Sequence, residues 1–442
     1  MFVQFKTGNF LSFKDIATFS MVGYAPIKEH ETEDTLCSVF SDPTGKIKLL
    51  KSSVLYGANG SGKSNLLSAM DFFRHFILTS SNAQQATDEI DVLRFLLSTQ
   101  TDNTPSFFEM IFIINETRYR FGFETDTKKI HSEWLFSLKN EASAKETKLF
   151  TRQFQDIKYN RQFFKEGKGL DNKTRSNALF LSTVAQLNGD IANQILIWFK
   201  TNFTIISGLE DTTTSYTISK FQKEDNFKKI VIEFFKSLQI GFDTIEIKEK
   251  DISDSKTLLK AFLQGTEIEG VKNGFSKEQE LSIHTLHKKF NTRDEFVKYE
   301  SMPFDLESKG TKKIFSLLGP LINTIQNGKI LIVDELDTRL HTLLTLELIK
   351  LFHSKINKKA QLIFVSHDTN LLLKDNFRRD QIWIAEKDKI GATDLYSLVE
   401  YKVNQATVRN DASFEKDYLL GKYGAIPFLG DIQKFIIDFL NE

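Results

Sequence analysis

Eight consecutive residues, Gly57-Ala58-Asn59-Gly60-Ser61-Gly62-Lys63-Ser64, constrain this chain more than any other feature. They satisfy the phosphate-loop pattern G-x-x-x-x-G-K-[ST] at every fixed position. A strand-like Ser53-Val54-Leu55-Tyr56 precedes them and a helical Asn65-Leu66-Leu67-Ser68-Ala69-Met70 follows. Strand, glycine-rich loop and helix in that order fold the backbone so that successive N–H groups and the helix N-terminus face negative charge. The ligand this predicts is a nucleoside triphosphate. Gly57, Asn59, Gly60, Ser61 and Gly62 would form the cradle, Lys63 would reach the β- and γ-phosphates, and the Ser64 hydroxyl would ligate Mg²⁺.

A second motif agrees with the first. Lys329-Ile330-Leu331-Ile332-Val333-Asp334-Glu335 is aliphatic without period-two alternation, the pattern of a strand buried on both faces of a parallel sheet, and it ends in two carboxylates. At such a strand tip Asp334 would hold Mg²⁺. Glu335 would be the general base that orients and deprotonates the attacking water.

Composition sets the outer bounds. The 442 residues suffice for one large or two ordinary domains, and 58 Lys+Arg balance 58 Asp+Glu, so no global charge draws the chain to nucleic acid or anionic lipid. A single cysteine, Cys37, excludes an internal disulfide and suits a reducing compartment. The first residues lack the layout of a signal peptide, and no apolar run approaches the roughly 20 residues of a membrane helix. A soluble, cytoplasmic protein is expected. The 41 phenylalanines read as compositional bias rather than as a stacking platform.

Along the chain, the N-terminus and the runs 107–114, 118–124 and 131–138 predict strands of an antiparallel sheet, with 79–89 as a polar link and 157–175 as an exposed loop or short helices. Residues 178–182 read as a further strand. Residues 189 to about 300 read mainly helical, and α/β character returns after Pro303. The expected domains are 1–188, an ATPase lobe with the phosphate loop and an antiparallel β subdomain; 189–303, a helical insertion; and 304–442, a second ATPase lobe. The phosphate loop and acidic strand then form one α/β core split by an insertion.

Three more segments complete a series: Glu307-Ser308-Lys309-Gly310-Thr311 opening a helix, Asp337-Thr338-Arg339-Leu340-His341, and the buried strand Leu362-Ile363-Phe364-Val365-Ser366-His367-Asp368. In this order the motifs resemble those of the ABC superfamily of ATPases, in its RecF, SMC and OLD-like branch. The resemblance implies an α/β, ABC-type P-loop ATPase head, working as a head-to-head homodimer or higher oligomer on ATP and Mg²⁺. Ser308 and Gly310 match the signature serine and second glycine, which cap the γ-phosphate of the opposite subunit, although Lys309 and Thr311 depart from the usual Gly and Gln. His367 matches the catalytic switch histidine and Asp337 the aspartate at the dimer seam. Gln186, in Phe180-Leu181-Ser182-Thr183-Val184-Ala185-Gln186, matches a Mg²⁺-ligating, nucleotide-sensing glutamine; a plain surface glutamine is the other reading.

Together with Asn9-Phe10-Leu11-Ser12-Phe13-Lys14-Asp15, Arg379-Asp380-Gln381-Ile382-Trp383 and the ending Tyr418 to Pro427, the chain is similar to the stand-alone ATPases of abortive-infection and phage-defence operons, such as RloA, AbiLi and the PARIS ATPase AriA. That similarity implies a sensor and regulator that answers a phage trigger, a phage protein for instance, and controls a separately encoded toxin or nuclease, often of the Toprim class. The chain's own residues offer no effector. Glu386-Lys387-Asp388 lacks the later Asp-x-Asp of a Toprim centre, and Asp243 with Glu246-Ile247-Lys248 alternates like an ordinary half-exposed strand. His284 and His287 would share a metal only with a third ligand, and an exposed helix accounts for them. The alternative function is a RecF- or SMC-like DNA-repair ATPase that clamps duplex directly, with Lys158, Arg161, Lys165, Lys168, Lys173 and Arg175 as the phosphate-contacting surface. A non-hydrolysing scaffold is a third class, which Glu335 opposes.

Overall fold

The computed structural model describes residues 1–27, 37–82, 85–139, 145–207, 213–250, 280–403, 406–407, 413–426 and 439–440. Pro427 of the C-terminal motif, residues 83–84 of the polar link and residues 251–279 of the expected insertion lie outside them. The chain divides into two compact units, Met1–Glu210 with Asn323–Glu442, and Asp211–Ile322.

In the first unit the phosphate-loop strand Ser52–Tyr56 is buried along its whole length. It lies inside a six-stranded sheet whose order is Phe203–Ser207, Ile330–Asp334, Gln361–Val365, Ser52–Tyr56, Ile382–Lys387, Thr393–Ser397. The first five strands are parallel and the last pairs antiparallel to its neighbour. Register matters here: Val333 pairs with Phe364 and Val365 with Leu55, so Asp334, Ser366 and Tyr56 end at one edge of the sheet. Ligands of open α/β sheets bind beyond the carboxyl ends of the strands, and both acidic and phosphate-loop motifs finish there.

A second, seven-stranded antiparallel sheet runs in the order 156–159, 147–153, 130–138, 117–125, 106–114, 2–8, 17–20. The helix Lys63–Thr79 buries Leu66, Leu67, Met70, Phe73, Phe76 and Ile77. Phe73 meets Phe5, Phe121, Phe123 and Phe199 at ring separations of 5.4–5.9 Å, and Phe72 packs on Phe10 and Phe108. These phenylalanines therefore work as core, where aromatic pairs add to the apolar area they bury. The fold observed is α/β, a mostly parallel sheet carrying the phosphate loop beside an antiparallel β subdomain.

One local reading needs correction. Residues 180–186 are a helix, Phe180–Gln186, rather than part of a strand. The fully buried carboxylate of Glu133 accepts the amides of Phe180 at 2.7 Å and Leu181 at 2.9 Å, satisfying a helix N-terminus from 47 residues away. Arg152, equally buried, lies 3.6 Å from that carboxylate and donates to the Ala178 carbonyl at 2.6 Å. No local pattern announces a cap of that kind.

The second unit is mixed rather than mainly helical. Helices Thr214–Lys223 and Asp225–Ser237 are followed by three antiparallel strands, Phe242–Lys250, Glu280–Phe290 and Phe296–Pro303, before the helix Lys309–Asn327 begins. The hairpin joining the last two strands closes through Asn291, whose amide donates to the Glu295 carbonyl at 3.0 Å, with Asp294 at φ 58°. Strand pairing on both sides of Glu280–Phe290 outweighs the weak helical period of this stretch. His284 and His287 consequently stand on a strand, three positions apart and on opposite faces. His284 Nδ1 lies 3.3 Å from Ser301 Oγ and His287 Nε2 2.8 Å from Glu307 Oε1. Among the described residues no three His, Cys, Asp or Glu groups gather as a metal site.

Candidate nucleotide site

Two glycines of the phosphate loop are dictated by space as well as by torsion. Gly57 has φ 150°, and a Cβ there would sit 2.3 Å from the Ala385 carbonyl oxygen; Gly62, the N-cap of the following helix, has φ 108°, and its Cβ would sit 2.1 Å from Thr393 Oγ1. Neither position admits a side chain. Behind the loop, Thr393 Oγ1 reaches the Ser61 carbonyl at 2.8 Å and Ser12 Oγ at 2.7 Å, and Asn65 Nδ2 donates to the same Ser12 oxygen at 2.7 Å. The loop is thus braced by residues from both chain ends.

Lys63 is buried, and its ammonium donates to the carbonyls of Gly57 at 2.8 Å and Ala58 at 2.9 Å. Burial lowers its pKa, while Asp334 and Glu335 oppose the shift. The Ser61 hydroxyl is buried in the loop without a hydrogen-bond partner. Unsatisfied buried donors are costly and rare, so a phosphate oxygen suits this loop chemically.

Across the sheet edge, the Asp334 carboxylate stands near enough to the Ser64 hydroxyl to interact with it electrostatically, and its Oδ1 is buried with no partner. Burial raises the Asp334 pKa, and repulsion from Glu335 adds to it. A hydroxyl and a carboxylate with an unpaired oxygen, beside a second carboxylate, form a hard oxygen set that fits Mg²⁺ held by one or two protein groups plus substrate phosphates. Glu335 adopts φ 53°, a left-handed conformation that costs a non-glycine residue of order 1 kcal/mol. Thr338 holds it there, its Oγ1 donating to Glu335 Oε2 at 3.0 Å and its amide to the Glu335 carbonyl at 3.2 Å.

His367 follows its strand into this group. Although its ring is exposed, the surrounding chain withdraws enough water to lower its pKa, the Lys63 charge lowers it further, and Asp337, Glu335 and Asp334 act the other way. Asp337 Oδ2 accepts the main-chain amides of His367 and Asp368, and its Oδ1 is buried without a partner. Lys63, Ser64, Asp334, Glu335, Asp337 and His367 are therefore one electrostatic cluster.

Two other predictions fall elsewhere. Gln186 ends its helix exposed; Ser182, one turn before it, donates to the Ile77 carbonyl at 2.6 Å, at the far end of the phosphate-loop helix. At about 1.5 Å per residue, Ile77 stands about 20 Å from Lys63. The structure does not bring Gln186 to the Ser64–Asp334 pair. Ser308, in the second unit, is exposed and caps the helix Lys309–Asn327, its Oγ accepting the Thr311 amide at 3.0 Å. Gly310 lies in that helix's first turn. Sequence reasoning missed Ser12, Thr393 and Thr338, whose roles depend on contacts up to 381 residues apart.

The chain's residues 52–373 match the family model described as "AAA domain, putative AbiEii toxin, Type IV TA system". Among solved structures, the SMC head domain from Thermotoga maritima aligns at 12% identity over 90% of this chain and 98% of its own, with a TM-score of 0.37. An SMC head bound to the C-terminal winged-helix domain of ScpA aligns at 12% identity over the same shares, with a TM-score of 0.42. No curated protein matches in sequence.

Proposed function

The chain belongs to the AbiEii-type AAA-domain family, and from that premise we propose an ATPase that binds ATP with Mg²⁺ and hydrolyses it to drive a regulatory state in anti-phage defence. The observation that supports this chemistry is the gathering of Ser64, Asp334 and Glu335 with Lys63 at one sheet edge. In this reading Lys63 leaves the loop carbonyls for the β- and γ-phosphates, and Ser61 and the helix amides take phosphate oxygens. Ser64 and Asp334 would hold Mg²⁺, which would supply neutralisation of the phosphate charge. Glu335 orients the water and takes its proton, and His367, its pKa depressed, offers a neutral imidazole to the γ-phosphate.

The catalytic unit is two chains. Ser308 and Gly310 stand at an exposed helix N-terminus, whose amides and partial positive charge suit the γ-phosphate held by a second copy. In this reading the output passes to a separately encoded toxin or nuclease, and the residues in this chain that most resemble an effector centre have other partners. Asp243 pairs with Lys288 at 3.2 Å and lies on a strand with Glu246, and the two histidines point apart. Glu386 is engaged by the Tyr396 hydroxyl at 3.0 Å.

Purified protein tests this directly. Mg²⁺-dependent phosphate release that disappears in Glu335→Gln, with DNA and RNA left intact in Mg²⁺ or Mn²⁺, is the expected result. Full turnover in Glu335→Gln overturns the mechanism, and nucleic-acid cleavage that vanishes in Asp243→Ala moves the effector into this chain. For the pairing, mixing inactive Lys63→Ala with inactive Ser308→Arg should restore part of the turnover, because one composite site is then intact.

A further inference from the structure

The phosphate-loop strand and the histidine strand separate at a defined point. The register between them ends with Leu55 opposite Val365, and the Ser366 amide still donates to the Leu55 carbonyl at 3.2 Å. Beyond that pair one strand turns into the phosphate loop at Gly57 and the other runs on to His367. Across the divergence the Tyr56 hydroxyl donates to the main-chain carbonyl of Asp368 at 2.8 Å. Tyr56 is 1% exposed, so its hydroxyl finds its partner inside the protein rather than in water. Its ring also packs 5.8 Å from that of Tyr418.

Asp368 is held by three elements at once. Its amide donates to Asp337 Oδ2 at 3.1 Å and to Ser366 Oγ at 3.0 Å. Its carboxylate accepts the hydroxyl of Thr342, the first residue of the helix Thr342–His353, and its carbonyl takes the Tyr56 hydroxyl. The His367 amide shares Asp337 Oδ2 at 3.3 Å. Because the His367 ring is exposed, its place is set by the main chain before and after it, and both stretches are tied to the phosphate-loop strand, through Leu55 and through Tyr56. On the loop side the next peptide is that of Gly57, whose carbonyl accepts the Lys63 ammonium at 2.8 Å. Tyr56 thus lies between the resting partner of Lys63 and the residue that follows His367.

We propose that Tyr56 is a positioning residue of the hydrolytic site, whose hydroxyl sets where the His367 imidazole stands relative to the phosphate loop. The proposal rests on the ATPase reading, with His367 acting at the γ-phosphate. Phenylalanine has the same ring for this buried strand end, so packing alone does not call for the hydroxyl; the Asp368 carbonyl does. A link from the end of the phosphate-loop strand to the residue after the histidine keeps two groups that act on one phosphate in register. Misplacing a group that acts in the transition state costs rate, whereas ground-state affinity stays with the loop and Lys63.

The test is a double-mutant cycle of Tyr56→Phe, which keeps the ring and removes the hydroxyl, with His367→Gln. Mg²⁺-dependent turnover at saturating ATP and ATP affinity are measured for wild type, both single variants and the double variant. Tyr56→Phe alone should lower turnover about ten-fold, with ATP affinity within about two-fold of wild type. In the His367→Gln background the same change should alter turnover by no more than about two-fold, because the group it positions is already gone. Losses that multiply in the double variant overturn the proposal, since a tyrosine that merely fills the core acts whatever stands at residue 367. Unchanged turnover in Tyr56→Phe, or an affinity loss as large as the turnover loss, overturns it too. Should Tyr56→Phe fail to fold, a fluorinated tyrosine placed at position 56 alone keeps ring and hydroxyl and alters the strength of the donor. A turnover change that vanishes in His367→Gln then supports the proposal, and one that is absent or persists there overturns it. A wild type without ATP turnover, or a His367→Gln protein as active as wild type, removes the underlying reading and the proposal with it, before any Tyr56 variant is compared.

Discussion

Asp337 accepts the main-chain amide of His367 through Oδ2 at 3.3 Å, and that of Asp368 at 3.1 Å, so the loop after the acidic strand and the loop after the histidine strand are tied at one carboxylate. A movement of Asp337 therefore carries the main chain at His367 with it. On the proposed mechanism Asp337→Ala should lower turnover about ten-fold or more while changing ATP affinity little, because it displaces His367, the group assigned there to the transition state. Steady-state kinetics beside equilibrium nucleotide binding separates the two effects. An affinity loss without a turnover loss contradicts this coupling.

Lys63→Ala and Glu335→Gln should fail differently. Without its buried ammonium the loop loses phosphate contacts, so Lys63→Ala binds ATP poorly at any concentration compatible with the wild-type site. Glu335→Gln keeps the shape of the side chain and the Thr338 contact, so it should retain ATP and form long-lived complexes with turnover down by about 100-fold or more. Filter retention of labelled ATP against phosphate release checks both.

Asp334→Asn should stabilise the nucleotide-free protein at neutral pH while abolishing Mg²⁺-dependent turnover. Burial and the Glu335 charge raise the folded pKa of Asp334 above its unfolded value, so its contribution to stability is present at low pH and is lost as pH rises through the folded value. Removing that charge at pH 7 should raise the melting temperature by about 2–4 °C, the common yield of relieving a site kept for function. A lower melting temperature in Asp334→Asn would falsify the electrostatic account.

For His367 the sign is opposite. Partial desolvation and Lys63 hold its folded pKa below the ordinary imidazole value of 6.5, so its contribution is complete above that value and is lost as pH falls through the lower folded value. Wild type should therefore lose more thermal stability between pH 7.5 and pH 5 than His367→Gln does. Scanning calorimetry of both proteins across that window gives the comparison, and identical slopes refute the shift.

Gly62→Ala tests the loop's steric seat. Its Cβ would meet Thr393 Oγ1 and Ser12 Oγ at 2.1 and 2.8 Å in a left-handed backbone, so nucleotide binding should be lost. Thr393→Ala combined with Gly62→Ala opens the space and should recover part of it; no recovery would place the cost in the backbone torsion alone.

The sequence made the motif-bearing strands legible because each is a local pattern. Ile330–Val333 is aliphatic and buried throughout, and Gln361–Val365 is buried throughout, which is what a parallel sheet with covered faces requires. Where the reading failed, the cause was distant. The helix Phe180–Gln186 exists because Glu133 reaches its amides, and the strands around His284 exist because each finds a partner. Tyr418 illustrates the same limit: its motif stood out in the sequence, but its ring meets that of Tyr56, 362 residues earlier, only in the closed fold.

That closure has a timetable. The phosphate-loop strand Ser52–Tyr56 finds its two sheet neighbours in Gln361–Val365 and Ile382–Lys387, so during synthesis it waits, apolar and unpaired along both edges, for more than two thirds of the chain to follow. Pairings of such sequence separation form slowly and leave sticky edges exposed meanwhile. A ribosome-bound chain that has not yet released residue 387 carries every phosphate-loop residue and still lacks one wall of the site. Competence to bind nucleotide thus arrives in one late step, and a broken or prematurely terminated chain is born silent rather than half active.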